Sequence, residues 1–88
     1  MNKTLFTVTE VLSITGLNQQ QVTLWIDKEW VTPSEPSWFD TEDVARLQFI
    51  KDMIYDLGAN EDSIPILLHL IDQLYRTREE LRRARSQV

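Results

Sequence analysis

No cysteine occurs in the 88 residues, which excludes a disulfide framework and a thiolate zinc site. Glycine occurs twice, so no glycine-rich loop is present to cradle a phosphate. Histidine occurs once, as His69. Its neighbours at helical spacing, Asp72 and Gln73, make a poor metal site, and it reads as a histidine on a helix face. No run approaches the ~18 apolar residues of a membrane span. The stretch MNKTLFTVTEV has no apolar segment of signal-peptide length, so a cytoplasmic protein is expected. Nucleophile–base pairs are missing as well, and the expectation is a non-enzyme with no cofactor and no metal.

Basic charge is scarce where it would matter most. Residues 1–50 contain three basic side chains, Lys3, Lys28 and Arg46, against seven acidic ones, Glu10, Asp27, Glu29, Glu35, Asp40, Glu42 and Asp43. The whole chain carries a net charge of −5. Phosphate contacts supply most of the affinity for nucleic acid, so this charge balance disfavours DNA and favours a basic protein surface as the partner. Apolar residues at 42% and charged residues at 26% place the chain with globular rather than disordered proteins. A chain this short buries a modest core, which makes an oligomer a reasonable prior.

The punctuation along the chain predicts four helices. KTLFTV, residues 3–8, alternates weakly, as a short strand does. Thr7 and Glu10 stand at capping-box spacing, with Thr9 as a rival cap, ahead of a helix over about 9–15 whose apolar side is Val11, Leu12 and Ile14. Gly16 follows where a left-handed residue ends a helix. Asn18 can cap a second helix to about residue 28, with Val22, Trp25 and Ile26 at 3,4 spacing. A helix, a glycine-containing turn and a second helix form the helix-turn-helix signature. Pro33 and Pro36 then forbid helix, and Trp30–Val31 and Trp38–Phe39 flank them as the two extended pieces of a shortened wing.

Asp40 is expected to cap a third helix with Thr41, Glu42 and Asp43 in its first turn. Val44, Leu47, Ile50, Ile54 and Leu57 form its apolar stripe, widened by Phe49 and Met53, and Gly58 ends it. The last helix starts near Asn60 to Asp62, with Asp62 the better cap because Pro65 must fall in the first turn. It runs to the C-terminus. Leu67, Ile71, Leu74, Arg78, Leu81, Arg85 and Val88 follow a heptad spacing, and Leu67, Ile71, Leu74, Arg78 and Leu81 are the expected dimer contacts. The first half of this helix is apolar all round and must bury more than one face. The arginines of its second half read as a solvated helix end complementing the dipole, or else as a patch that pairs with the partner protomer's acidic surface or makes weak nucleic-acid contact.

FTVTEVLSITGL, VTLWIDKEWVTP and WFDTEDVARLQFIKDMIYDLGANEDSIPILL together resemble the MerR family of helix-turn-helix regulators. The likeness covers most of the chain and rests on Val8, Val11, Thr15, Gly16, Leu17, Trp25, Pro33, Phe39, Val44, Leu47, Ile50, Leu57, Gly58 and Ile64. It implies an all-α fold, a MerR-like winged helix-turn-helix over residues 1–60, with a longer C-terminal dimerisation helix over 61–88 continuous with it. The family's basic recognition-helix residue falls at Thr23 and its acidic neighbour at Asp27, and its arginine-rich wing is shortened to SEPSW. Those losses remove phosphate and base contacts. The FTVTE start, the Trp38–Phe39–Asp40 step, the long last helix and the acidity are similar to the chaperone-modulator family, CbpM. That resemblance implies a homodimer that binds the J-domain of a DnaJ-like (CbpA-type) co-chaperone and inhibits its action with an Hsp70-class chaperone. The alternative is a MerR-like DNA-binding regulator or an excisionase-like factor.

The candidate partner-binding residues are Asp27, Glu29, Trp30, Asp40, Glu42 and Asp43. Capping accounts for Asp40 without any partner, whereas Glu42 and Asp43 are better placed to grip a basic surface. Asp27 and Glu29 oppose the dipole at the end of the second helix. Among the three tryptophans, Trp25 belongs to the core by its spacing and Trp38 is expected to pack. Trp30 stays open between packing and an interface anchor.

Overall fold

The computed structural model describes residues 4–86. It is mostly helical, with a small two-stranded antiparallel sheet. The elements are β1 (Phe6–Thr7), α1 (Val8–Thr15), α2 (Gln19–Asp27), β2 (Trp38–Phe39), α3 (Thr41–Lys51) and α4 (Ile64–Ser86). A π-helical turn, Asp52–Asp56, extends α3, and a 3₁₀ turn, Glu61–Ser63, leads into α4.

Local side chains start the first three helices. Thr7, Asn18 and Asp40 are extended residues whose side chains accept from the amides of Glu10, Gln21 and Asp43, and the side chains of those three residues reach back to the cap amides. Each helix thereby satisfies two of its orphan donors. Thr7 rather than Thr9 is the first cap. Gly16, at φ 76°, ends α1, and the Lys51 ammonium caps its last carbonyls by donating to the Thr15 oxygen at 2.6 Å. The end of α2 is a Schellman motif, with the Trp30 amide on the Trp25 carbonyl at 3.0 Å. The left-handed residue there is Glu29, at φ 62°, where glycine is usual.

The sheet differs from the expected wing. Trp30–Val31 is not a strand; β2 pairs instead with β1, Phe6 against Phe39 and Thr7 against Trp38. The reason is burial. Trp30 and Val31 are taken into the core, and the Pro36 turn brings Trp38 back only as far as Glu35, whose carbonyl accepts its amide at 3.2 Å. The start of the chain supplies the remaining strand. Lys3 lies outside the described residues, as does Val88.

One core joins all four helices: Val11, Leu17, Val22, Trp25, Trp30, Val31, Phe39, Leu47, Ile50, Ile64 and Leu68. Three positions expected on buried faces are exposed: Ile14, Leu57 and Trp38. For Leu57, which is 71% exposed, the cause is the π turn. Its amide bonds to the Asp52 carbonyl five residues back. One extra residue in the turn rotates the chain beyond it by ~100°, which takes Leu57 off the Leu47–Ile50 stripe. The cap of the last helical segment is Asn60, which accepts from the Ser63 amide and hydroxyl at 3.0 and 2.8 Å; Asp62 is exposed in the 3₁₀ turn and does not fill that role. No helix among the described residues is long and apolar enough to cross a membrane.

Candidate partner-binding surface

Three short pieces of chain meet at β2. Thr7 pairs with Trp38, so the start of α1 lies beside the start of α3. Glu10 is fixed there by the Thr7 amide and hydroxyl, both donating to its Oε1 at 3.0 and 3.1 Å. Glu35 bridges to Trp38 from the other side of the turn. Asp40 and Asp43 hold each other across the first turn of α3. The Asp43 amide donates to Asp40 Oδ1 at 2.8 Å, and the Asp40 amide donates to Asp43 Oδ2 at 3.0 Å. Glu42, between them in sequence, is exposed. Trp38, 43% exposed, therefore lies on a short strand whose neighbours in sequence and in pairing carry Glu10, Glu35, Asp40, Glu42 and Asp43.

Charge accumulates here because two helices begin at adjacent strands, and the first turn of a helix favours carboxylates. Crowding has a consequence for Asp43. Burial pushes its carboxyl up from the ordinary value; the Asp40 amide works against that shift and the neighbouring Asp40 charge adds to it. Asp43 is therefore tied into the fold, and Glu42 is the freer member of the pair.

The other expected contacts fall differently. Trp30, at 6% exposure, is buried against Trp25, with ring centroids 6.4 Å apart, and the Lys28 ammonium lies 5.4 Å from its ring. It has no surface to offer a partner, and its role as an anchor is withdrawn. The tryptophan on the surface is Trp38, which was expected to pack beneath the wing. The two exchanged places because β2 pairs across more than thirty positions with β1, a contact no local signal announces. Asp27 and Glu29 are exposed at the far end of α2, on a different element. The outer stripe of α2 is Gln19, Gln20, Thr23, Leu24 and Asp27, all exposed, with one carboxylate and no cation.

Arg46 links these parts. Its Nε donates to the Trp30 carbonyl and its two terminal nitrogens to Asp72 of α4 at 2.7 and 3.2 Å. That hydrogen bonding, ahead of the guanidinium charge, holds the Asp72 carboxyl below its ordinary value. Of the expected dimer residues, Leu67 packs against the core and Ile71 is half-buried one turn on from Leu68. Leu74, Arg78 and Leu81 are exposed. No group of three or more histidine, aspartate or glutamate side chains among the described residues is placed to hold a metal ion.

These features define an acidic, mostly helical domain with one exposed tryptophan among its described residues. No family model matches the chain, and no curated protein matches it either.

Proposed function

We propose that this chain is a MerR-like winged helix-turn-helix domain turned to protein binding. It acts without catalysis, as a CbpM-type modulator. The basic helix of a J-domain docks on Trp38 and its carboxylate rim, and the co-chaperone is then blocked from its Hsp70-class partner by occlusion. The observation that carries this reading is the exposed Trp38 indole on a strand flanked, in sequence and in pairing, by segments that carry Glu10, Glu35 and Glu42. Tryptophan is enriched among residues that dominate binding energy, and complementary charge gives fast, salt-sensitive association. The outer face of α2, which would enter the major groove in a DNA-binding relative of this fold, has no cation to meet a phosphate.

Calorimetric titration with a J-domain from a DnaJ-type co-chaperone, at low and at moderate salt, tests the proposal. Saturable binding that weakens with salt is expected. Trp38→Ala and the double change Glu35→Lys with Glu42→Lys should each weaken it at least about tenfold, or ~1.4 kcal/mol, with the helical circular dichroism preserved. Absence of binding at either salt, or salt-dependent binding to duplex DNA instead, would overturn the reading.

A further inference from the structure

The last turns of α4 extend past the core, and all but one of residues 72–86 are exposed. Residues 76–86 contain five arginines, two glutamates and no lysine. Helical spacing sorts these charges. Leu70, Leu74 and Leu81 form one apolar stripe, each more than half exposed. Arg78, Arg82 and Arg85 line one flank of it at 4,3 spacing, and Gln73 and Glu80 line the other. Tyr75, 65% exposed, stands one turn before Arg78 and shares the arginine flank. Tyr75, Arg78, Glu79, Leu81, Arg82 and Arg85 border one open hollow. Within it Arg82 pairs with Glu79, on which Arg83 also converges at 3.8 Å. Arg78 and Arg85 have no carboxylate within ion-pair distance among the described residues.

We propose that this flank binds an acidic amphipathic helical segment of another protein. Its carboxylates pair with Arg78, Arg82 and Arg85, and its apolar side chains cover Leu74, Leu81 and the Tyr75 ring. The inference does not rest on the J-domain reading, because a basic helix is repelled here. Charge selects an anionic occupant. A guanidinium meets a carboxylate or a phosphate with two parallel hydrogen bonds, which an ammonium does not. The one-sided arrangement then selects among anions. A bilayer plane meets both flanks of the stripe and would press Glu80 and the acidic excess of the first 50 residues toward lipid phosphates. A nucleic-acid strand would pair with the arginines but leave Leu74 and Leu81 in water. A helix laid along one flank meets the arginine row alone, with carboxylates at matching 3,4 spacing, as at the flanking positions of a coiled coil. Tyrosine and arginine are enriched among the residues that dominate binding energy at such contacts.

The probe is a synthetic helical peptide with glutamates at 3,4 spacing beside a row of leucines, titrated with the full chain and followed by fluorescence anisotropy. Saturable binding that weakens with salt is expected. Arg78→Gln combined with Arg85→Gln, both at exposed positions, should raise the dissociation constant at least about tenfold with the helical circular dichroism kept. The glutamine form of the peptide should bind as weakly. Arg78→Glu with Arg85→Glu should transfer binding to a peptide with lysines in place of the glutamates, which separates charge pairing from loss of helix. Absence of saturable binding, equal affinity for the glutamate and glutamine peptides, or binding indifferent to the arginine changes would overturn the proposal. Preferential binding to anionic phospholipid vesicles or to a single-stranded oligonucleotide would overturn the choice of occupant. Self-association of the wild-type chain that is lost with the two arginines would overturn it too, and would assign the flank to a second copy.

Discussion

Glu29 is held in two unfavourable ways at once. It takes the left-handed position of the α2 Schellman motif at φ 62°, which costs a side-chain-bearing residue about 1–2 kcal/mol, and its charge faces the negative end of the helix dipole. Glycine relieves the strain but adds about 0.5–1 kcal/mol of chain entropy to the unfolded state. Glu29→Gly is therefore expected to stabilise the domain by about 0.5–1 kcal/mol, read as a higher urea midpoint with an unchanged slope. A lower midpoint would mean that the carboxylate makes a stabilising contact. Asp43 makes a second test. Its folded-state pKa is raised, so the folded chain binds the proton more tightly, and stability falls as pH rises from the ordinary carboxylate value through the raised one. Asp43→Asn keeps an oxygen for the Asp40 amide and removes that penalty. The stability difference should move in favour of the variant as pH rises through this window, and equal pH profiles for the two proteins would refute the account.

At the level of whole elements, the helices separate what a sequence discloses from what it hides. Thr7, Asn18 and Asp40 are readable as caps because a cap and its responding residue lie three positions apart, and Gly16 because a helix end needs a left-handed residue there. Trp30 and Trp38 are not separable by sequence, because their burial depends on which distant segment β2 pairs with. Leu57 misleads because a π turn leaves no mark in periodicity. The candidate surface is legible to the same extent: the carboxylates of α3 stand out, while the exposure of Trp38 does not. The caps and the Arg46 clamp each give a test at this scale. Asn60→Ala should cost about 1 kcal/mol and Asp62→Ala almost nothing, within about 0.5 kcal/mol; thermal melts giving the reverse order would restore Asp62 as the cap. Asp72→Asn removes an exposed ion pair and should cost about 0.5 kcal/mol at neutral pH, whereas Arg46→Ala, which also loses the bond to the Trp30 carbonyl, should cost about 1–2 kcal/mol. Since the Asp72 pKa is lowered, its contribution is present above the ordinary carboxylate value and is lost as pH falls through the lowered one.

At the scale of the whole molecule the charges are segregated. The first 50 residues carry the acidic excess and the last helical turns the basic one, so one chain presents opposite ends to two kinds of neighbour. The proposed J-domain surface and the proposed acidic-helix surface on α4 share no residue. Binding at one should therefore leave the other nearly unchanged, with coupling within about 0.5 kcal/mol for sites without common contacts. The tryptophans separate the two events optically, because Trp25 and Trp30 are buried and Trp38 is not. Before any partner is added, acrylamide should quench one accessible fraction of the fluorescence, and Trp38→Phe should remove it. Adding a J-domain should protect that fraction in the wild-type chain and in the Arg78→Gln, Arg85→Gln variant alike. Protection that is lost with the two arginines would mean that the partner spans both surfaces, and the two would then have to be treated as a single site.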